Sequence, residues 1–109
     1  MLKVFLESVL ISHECSVTNL AWVNFRGADE LVSCSLDCTI CIWGRDPTTE
    51  NNEEGSWNVV NRMGQLLGNK NAYFDVLADP KYRCLVALNY IGSVLVWDYS
   101  KEADKFSLR

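Results

Sequence analysis

The sequence predicts an all-β chain of short antiparallel strands, grouped as about two four-stranded sheets, and three observations point to it. Apolar runs of strand length, rich in β-branched and large side chains, alternate with polar turn segments along most of the 109 residues. One stretch, L-V-S-C-S-L-D-C-T-I-C-I-W from Leu31 to Trp43, reads as two strands joined by a tight Asp-containing turn and closed by a tryptophan. A second stretch, L-V-A-L-N-Y-I-G-S-V-L-V-W-D from Leu85 to Asp98, repeats that layout.

Each element follows in order. Residues 2–10 carry enough apolar and β-branched side chains for one strand, expected as the outermost strand of a preceding sheet. The first unit, residues 13–63, begins with His13 and has an innermost strand over Val17 to Val23, a second over Glu30 to Ser35 and a third over Thr39 to Trp43. Their near-continuous apolar character is that of strands packed on both faces. From Gly44 to Gly55 the chain changes to G-R-D-P-T-T-E-N-N-E-E-G, whose carboxylates, Gly and Pro predict a solvated surface loop. Ser56 to Met63 follows as the outer strand, and G-Q-L-L-G-N-K-N then links to the second unit, residues 69–98. That unit has strands over Ala72 to Leu77, Cys84 to Leu88 and Val94 to Trp97; residues 104–109 begin the next outer strand over Lys105 to Leu108.

Charge and cysteine usage narrow the function. Ten Lys and Arg stand against 14 Asp and Glu for a net charge of -4, and the basic residues are scattered, with Lys81 and Arg83 the nearest to a pair. Nucleic-acid and anionic-membrane surfaces depend on clustered cations, so neither is expected as a partner. The five cysteines, Cys15, Cys34, Cys38, Cys41 and Cys84, lie mostly in apolar runs and are odd in number, which predicts free thiols and a reducing compartment. The opening M-L-K-V-F-L-E-S-V-L-I-S-H weakly resembles a signal sequence, but Glu7 interrupts it and no small-residue cleavage site follows. No run reaches the ~20 apolar residues of a membrane span.

The residues His13, Ser33, Asp37 and Trp43, with the two strands and Asp-containing turn between them, resemble a repeat of the WD40 family. The resemblance implies a partial WD40 β-propeller of about two blades, a scaffold fold rather than an enzyme fold. Because a propeller closes with roughly 4 to 8 blades, the chain is expected to be part of a larger protein. Trp43 and Trp97 are farther apart than the usual ~40 to 45 residue period, and the acidic loop accounts for the excess. The family implies a structural tetrad: the Trp43 indole N–H donates to Ser33, Ser33 meets the His13 ring, and the other ring nitrogen reaches Asp37. The donor and acceptor capacities of the four groups match this order, and a fully satisfied buried network rigidifies its surroundings. In the second unit Ala87 and Ile91 take the places of Ser33 and Asp37 and no His precedes the first strand, so apolar packing is expected to replace the polar chain there.

The same residue types admit other chemistry. Ser33, His13 and Asp37 are the residue types of a nucleophilic triad, but Ser33 sits mid-strand without a sharp elbow or a Gly-rich oxyanion donor. Cys34, Cys38 and Cys41 with His13 offer zinc ligand types, yet strand alternation sends Cys38 and Cys41 to opposite faces, and packed strand cysteines are the expectation. The loop acids Glu50, Glu53 and Glu54 match no calcium-loop pattern and are expected to be solvated. Among Trp22, Trp57, Tyr73, Phe74 and Tyr82, aromatics of the kind enriched in binding hot spots, Trp57 and Tyr82 are the expected exposed pair. No cofactor, metal site, catalytic residue or small-molecule substrate is expected.

A closer resemblance rests on L-E-S-V-L-I-S-H-E from Leu6 to Glu14, S-C-S-L-D-C-T-I-C-I-W from Ser33 to Trp43, the later E-E-G-S-W, M-G-Q-L-L-G-N-K-N-A-Y-F-D and G-S-V-L-V-W. Together these are similar to the first propeller of the subunit 2 family of the Elongator complex. Departures are Ser12 before His13, Ser16 where a Trp is usual, and Gly44 in place of the Asp after Trp43. The resemblance implies a non-catalytic scaffold in a complex that modifies wobble uridines in transfer RNA. Its implied partners are the Elongator large scaffold subunit and catalytic subunit, and its implied location is the cytoplasm with some nuclear presence. A WD40 adaptor of a ubiquitin ligase or signalling complex is the alternative, because fold does not fix function.

Overall fold

A computed structural model describes residues 3–6, 8–45, 57–64 and 72–109. Eight strands account for the regular structure of these residues, and none of them is helical. In chain order they are β1 (Val17–Val23), β2 (Glu30–Ser35), β3 (Ile40–Arg45), β4 (Trp57–Met63), β5 (Tyr73–Asp79), β6 (Cys84–Asn89), β7 (Val94–Ser100) and β8 (Lys105–Leu108). They form two antiparallel sheets in the orders β1-β2-β3-β4 and β5-β6-β7-β8. The all-β expectation holds, and the two open sheets are consistent with part of a propeller.

The sheets pack face to face, with β1 and β2 against β5. Because successive strand residues point to opposite faces, one alternate set from each sheet meets in a single apolar cluster. Val23, Val32, Cys34, Ile40 and Ile42 from the first sheet meet Val76, Leu85, Ala87 and Trp97 from the second. Both sheets carry a bulge near the start of their first strand, at Val17/Asn19 and at Tyr73/Asp75, so their registers correspond.

Several sequence expectations are corrected. Residues 3–6 and 8–10 have no ladder partner among the described residues, and the strand over 2–10 is expected to find its partner in a preceding sheet. The third strand starts at Ile40 rather than Thr39, because Thr39 closes the turn, and it runs on to Arg45 opposite Trp57. β7 likewise extends to Ser100, since β8 pairs with it as the fourth strand of the second sheet. The acidic loop with Glu50, Glu53 and Glu54, and the link over 65–71, lie outside the described residues.

Candidate functional site

The turn between β2 and β3 is built by side chains that replace missing backbone partners. Ser35 Oγ accepts the Asp37 N–H at 3.0 Å and Asp37 Oδ1 accepts the Thr39 N–H at 2.9 Å, closing a tight turn in which Cys38 adopts a positive φ of 72°. The segment before β1 then lays His13 beside this turn. His13 Nδ1 lies 2.9 Å from Asp37 Oδ2, His13 Nε2 lies 2.7 Å from Ser33 Oγ, and the Trp43 Nε1–H donates to Ser33 Oγ at 2.9 Å. The structure thus brings His13, Ser33, Asp37 and Trp43 into one hydrogen-bond chain.

Proton placement follows from capacity. The indole can only donate, so Ser33 Oγ accepts from Trp43 and turns its own proton to His13 Nε2, leaving the Nδ1–H for Asp37. The His13 and Asp37 side chains are only 3% and 7% exposed. Asp37 also accepts from the Thr39 hydroxyl at 2.5 Å and from the Glu14 N–H at 3.0 Å. Burial pushes the Asp37 carboxyl up, but hydrogen bonds from Thr39, from His13 and from the Glu14 and Thr39 amides outweigh it and hold the group at about 2, below the ordinary 3.8.

The distances from Ser33 through His13 to Asp37 are those of a hydrogen-bonded triad, so the nucleophile reading turns on the serine's surroundings. Ser33 is 3% exposed, pairs mid-strand with Leu20 on one side and Cys41 on the other, and has its oxygen occupied by the Trp43 indole. The space beside it is lined by apolar Leu10, Ile11, Val17, Leu20 and Leu31 together with Ser12 and Cys15.

Further side chains contribute that the sequence did not single out. Thr39 shares Asp37 and also lies 3.1 Å from His13 Nδ1. Its position two residues after an Asp is an Asx-turn signal that was available. Thr18 Oγ1 donates to the Tyr73 carbonyl of the other sheet at 2.8 Å, and Asn19 Nδ2 donates to Asp75 at 2.5 Å. Arg26, in the β1–β2 loop, pairs with Glu30 and reaches Asp104 at 3.2 Å across the sheets. A Cβ at Gly44 would stand 2.7 Å from the Glu30 carboxylate, the flexible end of a side chain that would have to shift.

Asn89 is a further contributor. Its Oδ1 accepts the N–H groups of Ile91 at 3.2 Å and Ser93 at 2.9 Å, and its own backbone repeats the hydrogen bonds of Ser35. One buried amide therefore does in the β6–β7 turn what Ser35 and Asp37 share in the β2–β3 turn. Apolar replacement is thus only half right. Ala87 is buried in the core, but Ile91 is 66% exposed.

With this geometry in view, comparison with known proteins is informative. No family model matches the chain. It is 31% identical over 103 residues to Elongator complex protein 2 of Drosophila melanogaster, 25% over 108 residues to that of Danio rerio and 28% over 101 residues to that of Homo sapiens. These alignments cover 94%, 93% and 86% of this chain. The chain is similar to a segment of Elongator complex protein 2. It spans 12% of the length of these relatives. An alignment of 103 residues is too long for one sheet, so the likeness to Elongator complex protein 2 runs through both.

The remaining candidates sort by position. All five cysteines are free thiols, and among the described residues no group of three His, Cys, Asp or Glu side chains is placed to hold a metal. Cys34 faces the core beside Thr18, and Cys41 lies on the opposite face of the sheet. Burial pushes both thiols up, away from the reactive thiolate. Cys38 is a turn residue rather than the strand residue expected, because the Asp37 cap ends β2 before it. Of the aromatics, Tyr82 is exposed as expected, Phe74 is exposed and Tyr73 is buried. Trp57 is half-buried under the Arg45 guanidinium, 5.0 Å from its ring, and against Trp22, which is the exposed partner of the two.

Proposed function

We propose that the chain is a non-catalytic scaffold segment that works through protein contacts, in a protein of the Elongator complex protein 2 kind. The observation that carries this reading is the 31% identity to that protein of Drosophila melanogaster over 94% of the chain. The stacked open sheets and the closed hydrogen-bond chain of His13, Ser33, Asp37 and Trp43 support it, since the chain's four polar groups bond one another. Read so, the four residues act as a structural tetrad. The parent assembly modifies wobble uridines in transfer RNA, its large scaffold and catalytic subunits are the partners, and the working location is the cytoplasm with some nuclear presence.

Affinity purification of the tagged native polypeptide with quantitative mass spectrometry tests this. Co-enrichment of the Elongator large scaffold and catalytic subunits is the expected result. Enrichment of ubiquitin-ligase or signalling components instead selects the adaptor reading. Labelling by a serine-directed fluorophosphonate that disappears in Ser33→Ala would reject the non-catalytic role.

A further inference from the structure

The joint between the sheets opens into a cleft of about 740 Å³ at the end where the β1–β2 loop faces the β5–β6 and β7–β8 turns. Arg26 and Arg45 stand on the first sheet's side, and Arg83 and Lys101 on the second's. Both walls come from neighbouring sheets of this chain, so they are present whatever sequence precedes or follows. Two carboxylates share the cleft, and both are already engaged. Glu30 is buried and accepts from Arg26, while Asp104 accepts from Arg26 at 3.2 Å and from the Tyr99 hydroxyl at 2.6 Å. Arg26 therefore offsets charge held within the joint. The surplus positive charge is that of Arg45, whose guanidinium also covers Trp57, and of Arg83 and Lys101, all three of them exposed. In a chain of net charge -4, the fold thus gathers cations from three distant positions of the sequence at one place.

We propose that this cleft binds an acidic peptide stretch of a protein partner, whose carboxylates meet Arg45, Arg83 and Lys101 while its backbone lies along Tyr99. Arginine clusters recognise acidic segments in this way, because the guanidinium fork holds a carboxylate through two parallel hydrogen bonds. A cleft lined by one excess sign of charge also concentrates its counter-ion and speeds encounter. A nucleic-acid strand fits the same place less well. Its evenly spaced phosphates bind along a continuous track of cations, and Glu30 and Asp104 interrupt the track in this cleft. A peptide can set its carboxylates against the three cations and pass the two acids with neutral residues. This inference stands on the charges of the cleft and not on kinship, so it and the proposed function fail independently.

The test titrates the purified native polypeptide with a fluorescent oligoglutamate peptide and reads anisotropy. Wild type is expected to bind oligoglutamate but not oligoglutamine, and to bind more weakly as salt rises from about 0.05 to about 0.5 M and screens exposed charges. Arg83→Glu and Lys101→Glu are each expected to weaken binding about fivefold or more, since a reversal removes one attraction and adds one repulsion. Lys3→Glu changes the net charge equally at a residue that does not line the cleft, and is expected to bind as wild type does. Strand circular dichroism checks folding, and the neutral Arg83→Gln, expected to weaken binding about twofold, replaces a reversal that unfolds. Wild type that binds no oligoglutamate overturns the proposal. So does an equal loss in Lys3→Glu, which would reduce the effect to net charge. Oligouridylate that binds more tightly than oligoglutamate and is lost in the Arg83 and Lys101 variants would assign the cleft to nucleic acid and overturn it as well.

Discussion

Asp37 concentrates the polar chemistry of the first sheet, accepting from the His13 ring, the Thr39 hydroxyl and amide, and the Glu14 amide. Asp37→Ala leaves buried donors unpaired, at a cost of about 1–3 kcal/mol. A urea midpoint that falls with unchanged slope checks this; an unmoved midpoint contradicts it. The same carboxyl carries a pH signature. Its folded value of about 2 lies below the ordinary 3.8. Its contribution to stability is therefore complete above the unfolded value and disappears as pH falls from about 4 through about 2. Asp37→Asn should lose less stability than wild type between pH 5 and pH 2.5, with the other carboxylates common to both proteins. Equal losses in the two would contradict the assignment. His13, Ser33, Asp37 and Trp43 were legible because complementary donor and acceptor types recur in a fixed order. Thr39 was not, since a threonine before an apolar run reads as strand propensity until its hydroxyl is seen on Asp37.

The strands were legible as elements because apolar runs bounded by turn residues carry a period-2 signal, and the misplaced ends come from turn chemistry that the runs do not encode. Four hairpins, β2–β3, β5–β6, β6–β7 and β7–β8, place a residue with positive φ just before the returning strand. Only one of these residues, Gly92 (φ 88°), is glycine; the others are Cys38 (φ 72°), Arg83 (φ 51°) and Asp104 (φ 48°). A non-glycine residue held in this region costs about 1–2 kcal/mol, and the extra backbone entropy that glycine loses is about 0.5–1 kcal/mol. Cys38→Gly is therefore expected to stabilise the chain by about 0.5–1 kcal/mol, read as a raised urea midpoint. Gly64 sets the opposite sign nearby. Its φ is +100°, and a Cβ there would stand 2.9 Å from both the Cys38 carbonyl oxygen and the Tyr73 ring. Gly64→Ala should lose about 1–3 kcal/mol. If both substitutions shift the midpoint in the same direction, the backbone argument is wrong. In the sequence Gly64 looked like part of a loose link, because its close approach is to residues far away in the chain.

What joins the two sheets was the least legible level, since contacts between distant segments leave no local period. The joint has a polar tie at each end of β1. At one end Thr18 and Asn19 donate to Tyr73 and Asp75. At the other, Arg26 bridges Glu30 and Asp104 while Phe25 packs between Tyr99, at 5.9 Å, and Phe106, at 6.0 Å. Tyr99 also donates its hydroxyl to Asp104 at 2.6 Å, so the residue that Arg26 reaches is itself tied into the β7–β8 hairpin. Phe25 is buried, and replacing it with Ala should cost about 3–5 kcal/mol through the cavity left behind. The loss should also be uneven. β2 and β3 keep their partners on both sides, whereas β8 is a four-residue edge strand whose Phe106 would face a void. Hydrogen exchange on Phe25→Ala should therefore show amide protection falling further in β7 and β8 than in β2 and β3. A uniform fall would mean that the sheets open together regardless of this contact. A fall confined to β7 and β8 would place the coupling at the Phe25 joint, where the arginine and the ring stack act on the same hairpin.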